Sequence, residues 1–300
     1  MTILISKLLF VIFLYKHTVC TKNIIRRICC NVTDIKIMSI IKIKKEEVYP
    51  IILLMMMFFC IVGSSITGAS ARDTFFLTQF DRSLLPLMFA LVAGLMVVVI
   101  SIYNKMTSNL DLVKTIIFSS VFFCITLFII RFNLNGFVIP LFYAWTDVII
   151  SITIFQFWLL ASEIFNARQA KRLFSVIGIG GSIAGISAGY IMRPFVLRFG
   201  AENLLIPTII FIALIGIFAA YLNPFRAKKD NSFKKDTKNE TSENIFDPYL
   251  KSILVMVCSA AICSRIIEYQ FKITAATTYS STAELASFFG EYYMYLNGTT

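Results

Sequence analysis

The sequence predicts an all-α, polytopic membrane helix bundle: a six-span amino-terminal half followed by the start of a second half. Three observations predict it. Hydrophobic residues make up 58% of the chain and charged residues only 15%, with a mean hydropathy of +0.79. Several apolar runs reach the roughly 20 residues needed to cross a bilayer, which makes a soluble domain of this length implausible. The third is charge placement. The formal net charge of +11 comes largely from Lys and Arg in the amino-terminal tail and between apolar runs, where they act as topology signals rather than as a nucleic-acid-binding face.

Residues 1–47 form a basic tail. Its apolar run, Ile3 to Tyr15, has the length of a signal peptide and is too short to span comfortably; little positive charge precedes it and no clean small-residue cleavage site follows. The six-span half covers residues 48–224. Its spans are Val48–Ser70, Leu84–Tyr103, Val113–Phe132, Phe137–Phe165, about Val176–Val196 and Leu204–Leu222, the last closed by Pro224. Residues 225–248 are a polar linker in which Arg226 and five lysines are mixed with five acids. Residues 249–300 carry a seventh apolar run, Tyr249–Ala275, and the start of another helix at Glu284–Tyr295 that is cut off at Thr300.

The tail, the second-to-third connector, the fourth-to-fifth connector and the linker hold most of the Lys and Arg. All four lie on one side if the chain starts inside, which predicts a cytoplasmic amino terminus and a cytoplasmic linker. Six spans, a basic linker and a new group of spans is the layout of transporters built from two six-helix halves.

Seven cysteines without a CxxC pair predict neither a disulfide framework nor a zinc site. The single histidine, His17, lies in the tail, so no histidine is left for a catalytic triad or a metal cluster in the membrane. An enzyme and a cofactor are therefore not expected.

The stretch from Phe157 to Tyr190 is the hinge of the layout: an apolar helix ends, a basic connector with Arg168, Lys171 and Arg172 follows, and a glycine-crowded helix begins. Gly181, Gly185 and Gly189 fall four apart, beside a parallel row of Gly180, Ala184 and Ala188. Together they make a flat face for close helix packing, with Ile179, Ile183, Ile186 and Tyr190 opposite. Phosphate cradling is a poor reading, because GxGxxG and GxxxxGK[ST] are both absent.

Ionisable residues within spans cost about 2.5 to 3.5 kcal/mol each at a helix centre, so their positions carry functional information. Asp147 is the clearest. Tyr143, Asp147, Ser151, Trp158 and Ser162 share one face of the fourth span, a stripe suited either to a cavity or to a partner helix. The seventh span carries Arg265, Glu268, Tyr269 and Lys272; Glu268 lies three residues from Arg265 and four from Lys272, so the group is partly self-neutralising, with one positive charge left over. Lys272 suits snorkelling to an interface, whereas Arg265 lies nearer the middle and would take Asp147 or an anion as partner. Arg72, Arg131 and Arg193 fall at span ends and read as anchors.

The block from Phe157 to Gly185, the earlier Arg72-Asp73-x-x-Phe76, and Glu268-Tyr-Gln-Phe-Lys272 resemble the nucleotide exchange translocases, the bacterial and plastid ATP/ADP antiporters related to the major facilitator superfamily. The resemblance runs from roughly Glu46 to the end of the chain. It implies a major facilitator-like bundle of about twelve helices in two halves, and secondary nucleotide exchange by alternating access across an inner membrane, expected here to be bacterial. A polyanionic nucleotide would be balanced by Arg265 and Lys272, with Trp158 or Tyr143 stacking on its base. Most of the second half is missing, so the chain is expected to be an amino-terminal fragment or to need a second chain that supplies the remaining spans. Two other readings stay open: a major facilitator-type carrier of another solute, and a truncated, non-transporting remnant.

Overall fold

The computed structural model describes residues 45–107, 111–133, 136–226, 248–279 and 281–298. The described residues from Tyr49 onward form one compact unit; before it only Lys45–Val48 are described, as the start of the first helix. The tail 1–44 and the linker from residue 227 to 247, with His17, lie outside the described residues.

Every described element is a helix. We number them α1 (Lys45–Gln79), α2 (Leu85–Thr107), α3 (Leu112–Phe132), α4 (Val138–Ile164), α5 (Ala167–Phe199), α6 (Leu205–Leu222), α7 (Pro248–Thr278) and α8 (Thr282–Gly298). Six of them, α1 to α6, are long and apolar enough to cross a membrane, and the chain is an integral, multi-pass membrane protein with an all-α bundle fold.

Two boundaries differ from the sequence expectation, each for a local reason. The first span does not stop at Ser70: α1 runs on to Gln79, because neither Gly nor Pro interrupts Ala71–Leu77 and its apolar members Ala71, Phe75, Phe76 and Leu77 are buried. The chain turns only at Asp81, whose carboxylate accepts from the Ser83 backbone N–H at 3.3 Å and opens a short 3₁₀ turn. The basic connector after α4 is likewise shorter than expected. Arg168, Lys171 and Arg172 already lie in the first turns of α5, which starts right after Asn166; the Gln169 side chain accepts from the Asn166 backbone N–H at 3.0 Å, one arm of a capping box.

The most enclosed of the six spanning helices is α1. It meets α6 through a hydrogen bond between the Thr67 and Thr208 hydroxyls at 2.8 Å and through Phe211, which presses against Gly63. It meets α5 at the glycine face: a methyl group added at Gly180 would lie 2.5 Å from the Met55 carbonyl oxygen, and one at Gly181 would lie 2.6 Å from the Phe58 ring. Only glycine lets the two backbones come this close. Further along the same row, a methyl at Gly189 would lie 2.5 Å from the Gly290 carbonyl oxygen of α8, so the small face serves two neighbours in turn. Gly185 is buried on that face, while Ile179, Ile183, Ile186 and Tyr190 are exposed on the other.

Helices α3 and α4 are joined by Gln156 Nε2, which donates to Ser119 Oγ at 2.9 Å, and by Trp145 Nε1, which donates to Thr126 Oγ1 at 3.0 Å. In contrast, α2 is the least enclosed of the six and turns Leu87, Leu91, Val97, Val98 and Ile102 outward, as a lipid-facing helix does.

Candidate functional site

Charged side chains from three helices meet inside the bundle. Arg72 lies seven residues before the end of α1, Asp147 nine residues after the start of α4, and Lys272 six residues before the end of α7, so all three sit toward the same end. That end is also drawn together by two other arginines. Arg82 Nη2 donates to the Ala276 carbonyl of α7 at 2.8 Å, and Arg131 Nη2 donates to Asn203 Oδ1, between α5 and α6, at 2.7 Å.

The pairs form a chain of alternating sign that runs from the surface inward. Arg265 Nη1 donates to Glu268 Oε2 at 2.7 Å, and Lys272 Nζ lies 2.7 Å from Glu268 Oε1 and 3.0 Å from Asp73 Oδ1. Arg72 Nε lies 3.3 Å from Asp73 Oδ1, and its Nη1 pairs with Asp147 Oδ1. Side-chain exposure falls from 55% at Arg265 through 29% at Glu268 to 4% at Lys272 and 1% at Asp73. Burying isolated charges costs several kcal/mol per ion, and the alternation is what offsets it.

The balance closes across helices rather than within one. On α7, two cations and one carboxylate leave +1; on α1 and α4, Arg72 with Asp73 and Asp147 leave −1; the six groups sum to zero. The positive charge left over on the seventh span is therefore neutralised by its neighbours.

Tyr143 is the hinge of this network. Its ring is fully buried, its hydroxyl accepts from Lys272 Nζ at 3.0 Å, and its face takes the Arg72 guanidinium at 4.7 Å and the Lys272 ammonium at 5.4 Å. Phe76 packs on it at 5.1 Å between centroids. No face of Tyr143 is free to stack on a base in this arrangement.

The expected site residues thus separate into two groups. Tyr143, Asp147, Glu268 and Lys272 come together, with Arg265 at the outer end of the chain of charges. Trp158 does not join them: eleven residues beyond Asp147, it packs on Phe58, Phe157 and Phe174, with centroids 5.1 to 6.0 Å away. The pairs expected within the seventh span form, Glu268 taking both Arg265 and Lys272. Two other expectations differ: Asp147 does not reach Arg265, because it is taken by Arg72, and Lys272 does not snorkel but points inward, because Asp73 and Tyr143 receive it there.

Arg72 and Asp73 are the residues whose place sequence reasoning missed. Arg72 is no connector anchor but a buried member of the network. Of the other two arginines read as anchors, Arg131 reaches across to Asn203 and Arg193 makes an exposed pair with Glu291 at 2.9 Å. Flanking the Arg72–Asp73 pair on α1, the buried hydroxyls of Ser70 and Thr74 have no hydrogen-bond partner among the described residues. Among those residues, too, no three His, Cys, Asp or Glu side chains are placed to hold a metal ion.

No family model matches the chain, and neither a curated protein nor a solved structure matches it.

Proposed function

We propose that the protein is a secondary carrier of anionic solutes, of the nucleotide exchange type, and that the ionic network on α1, α4 and α7 is its substrate site. The observation that carries this reading is the buried, electroneutral network. Arg72 and Lys272 are cations already held in the bundle interior by carboxylates, and an anionic substrate would take over the counterion role of Asp73, Asp147 and Glu268. Ser70 and Thr74 supply spare hydroxyl donors beside it. Arg265, half exposed at the outer end, is the first cation an entering anion would meet.

Placement supports the same reading. The network joins two helices of the six-span half to α7, the first helix after the polar linker, and in a major facilitator-like carrier the two halves rock about a shared central site. The basic connectors support a cytoplasmic amino terminus and linker, for which a bacterial inner membrane is the natural setting. The network then lies toward the outer side.

A competing reading is favoured by one observation: every charged member already has an opposite charge within the protein, as a purely structural clamp between helices would. The purified protein separates the two. A carrier of nucleotide-like anions is stabilised against heat by ATP or ADP and not by nucleosides or cationic solutes; a clamp is indifferent to all of them. If a neutral or cationic solute stabilises it instead, the cargo class is wrong.

A further inference from the structure

At the opposite end of the bundle a second ionic cluster stands apart from the network. Arg226 follows the short turn Asn223–Phe225 that closes α6, and its side chain is only 14% exposed. Its Nε donates to Glu163 Oε2 at 2.7 Å and its Nη1 to Asp111 Oδ1 at 2.7 Å; Asn223 Oδ1 lies 3.4 Å from Nη1. Glu163 is in the last turn of α4, and Asp111 is the residue before α3. One guanidinium therefore holds the ends of three helices together, through Glu163 and Asp111, which lie 63 and 115 residues before it in the chain.

Both acids are placed for the arginine rather than for their own helices. Asp111 occupies the N-cap position of α3, with extended backbone angles that suit a cap, yet its carboxylate makes no cap hydrogen bond. Its backbone carbonyl alone accepts from Thr115 N–H, at 2.9 Å. Glu163 stands at the negative end of the α4 dipole, where a carboxylate is unfavourable without a cation beside it. Burial opposes the charge on Arg226, but the hydrogen bonds it donates to Asp111 and Glu163, with the attraction of the two carboxylates, outweigh it and raise its pKa. A forked, planar donor set is needed to serve two carboxylates on different helices, which a lysine ammonium does not reproduce.

We propose that Arg226 is a three-way latch that locks the linker-side ends of α3, α4 and α6 into one unit, so that these helices move together at that end. The inference does not depend on what the protein carries. It assigns Arg226, a residue that sequence reading places in a basic linker, to the conformational control of the six-helix half.

Hydrogen–deuterium exchange on the full chain in nanodiscs tests it. The amides to follow are Thr115, at the start of α3, and Phe165, which donates to the Ala161 carbonyl at the end of α4 at 3.1 Å. Arg226→Gln is expected to speed exchange at both sites about tenfold, while the α5–α8 seam around Gly189 and Gly290 stays as protected as before. Asp111→Asn should loosen mainly the α3 start and Glu163→Gln mainly the α4 end, so the latch can be judged from these two if Arg226→Gln does not fold. Unchanged exchange at both sites in Arg226→Gln, equal loss of protection along all helices, or single variants that do not divide the effect between the two ends would overturn the proposal.

Discussion

Lys272 of α7 reaches across to α1 and sets its ammonium 3.0 Å from Asp73 Oδ1, with both side chains almost sealed from the surface. Asp73 answers two cations at once, since Arg72 Nε shares the same oxygen at 3.3 Å. Removing the carboxylate leaves both positive charges under-compensated in the interior. Asp73→Asn should therefore destabilise the protein by about 3–5 kcal/mol, the usual cost of breaking a buried pair from one side. Asp73→Asn combined with Lys272→Met should cost less than the sum of the two single variants, as measured by unfolding in detergent micelles. Additive losses would mean that the two side chains are not coupled.

Two glycines on α5 make a sharper test of packing than any single variant. Gly180 has the Met55 carbonyl where a methyl would go, whereas nothing lies within 4 Å of a methyl at Gly178. Gly180→Ala should destabilise by about 1–3 kcal/mol through overpacking against α1. Gly178→Ala should be neutral or stabilise by up to about 1 kcal/mol through helix propensity. Equal effects at the two positions would refute the close approach of α1 and α5.

The Thr67–Thr208 hydrogen bond joins α1 to α6 in an otherwise apolar contact. Thr208→Val should cost about 0.6 kcal/mol and no more than about 1.7, because hydrogen bonds between membrane helices are modest. Comparing unfolding of Thr208→Val with that of Thr67→Val and the double variant isolates the pair; a coupling energy of zero would remove it from the account.

Trp158 separates the aromatic packing from the charged site. Its contacts are Phe58, Phe157 and Phe174, so Trp158→Phe should lower stability slightly and leave any ligand-induced stabilisation unchanged. A loss of ligand response in a stably folded Trp158→Phe protein would bring Trp158 back into the site.

Much of this architecture is legible in the sequence, for identifiable reasons. The apolar runs are long and broken by polar or basic residues, so α2, α3, α4 and α6 start and stop within a few residues of where composition changes. The glycine row of α5 is read from spacing alone, because a face without side chains has little to do but pack closely. Asp147 and Tyr143 stand out as polar groups on an apolar helix. Arg72 and Asp73 do not, because a neighbouring acid and base next to a small-residue stretch look like the end of a span. Only the burial of Phe75, Phe76 and Leu77 after them reveals that the helix continues and carries the pair inward. The Glu268 partner of Arg265 and Lys272 follows from their three- and four-residue spacing, but Asp73 as the second partner of Lys272 was beyond reach for a different cause. Residues about 200 positions apart in the chain choose each other through packing, which periodicity within one helix does not encode.

The central claim is that an anion exchanges places with the internal carboxylates around Lys272 and Arg72. The most direct measurement is uptake of labelled ATP into proteoliposomes loaded with ADP, comparing the full chain with a folded Lys272→Gln variant. The account predicts counter-exchange by the wild-type protein and its loss in the variant. No nucleotide-dependent exchange by the wild-type chain, or undiminished exchange by the variant, would contradict it.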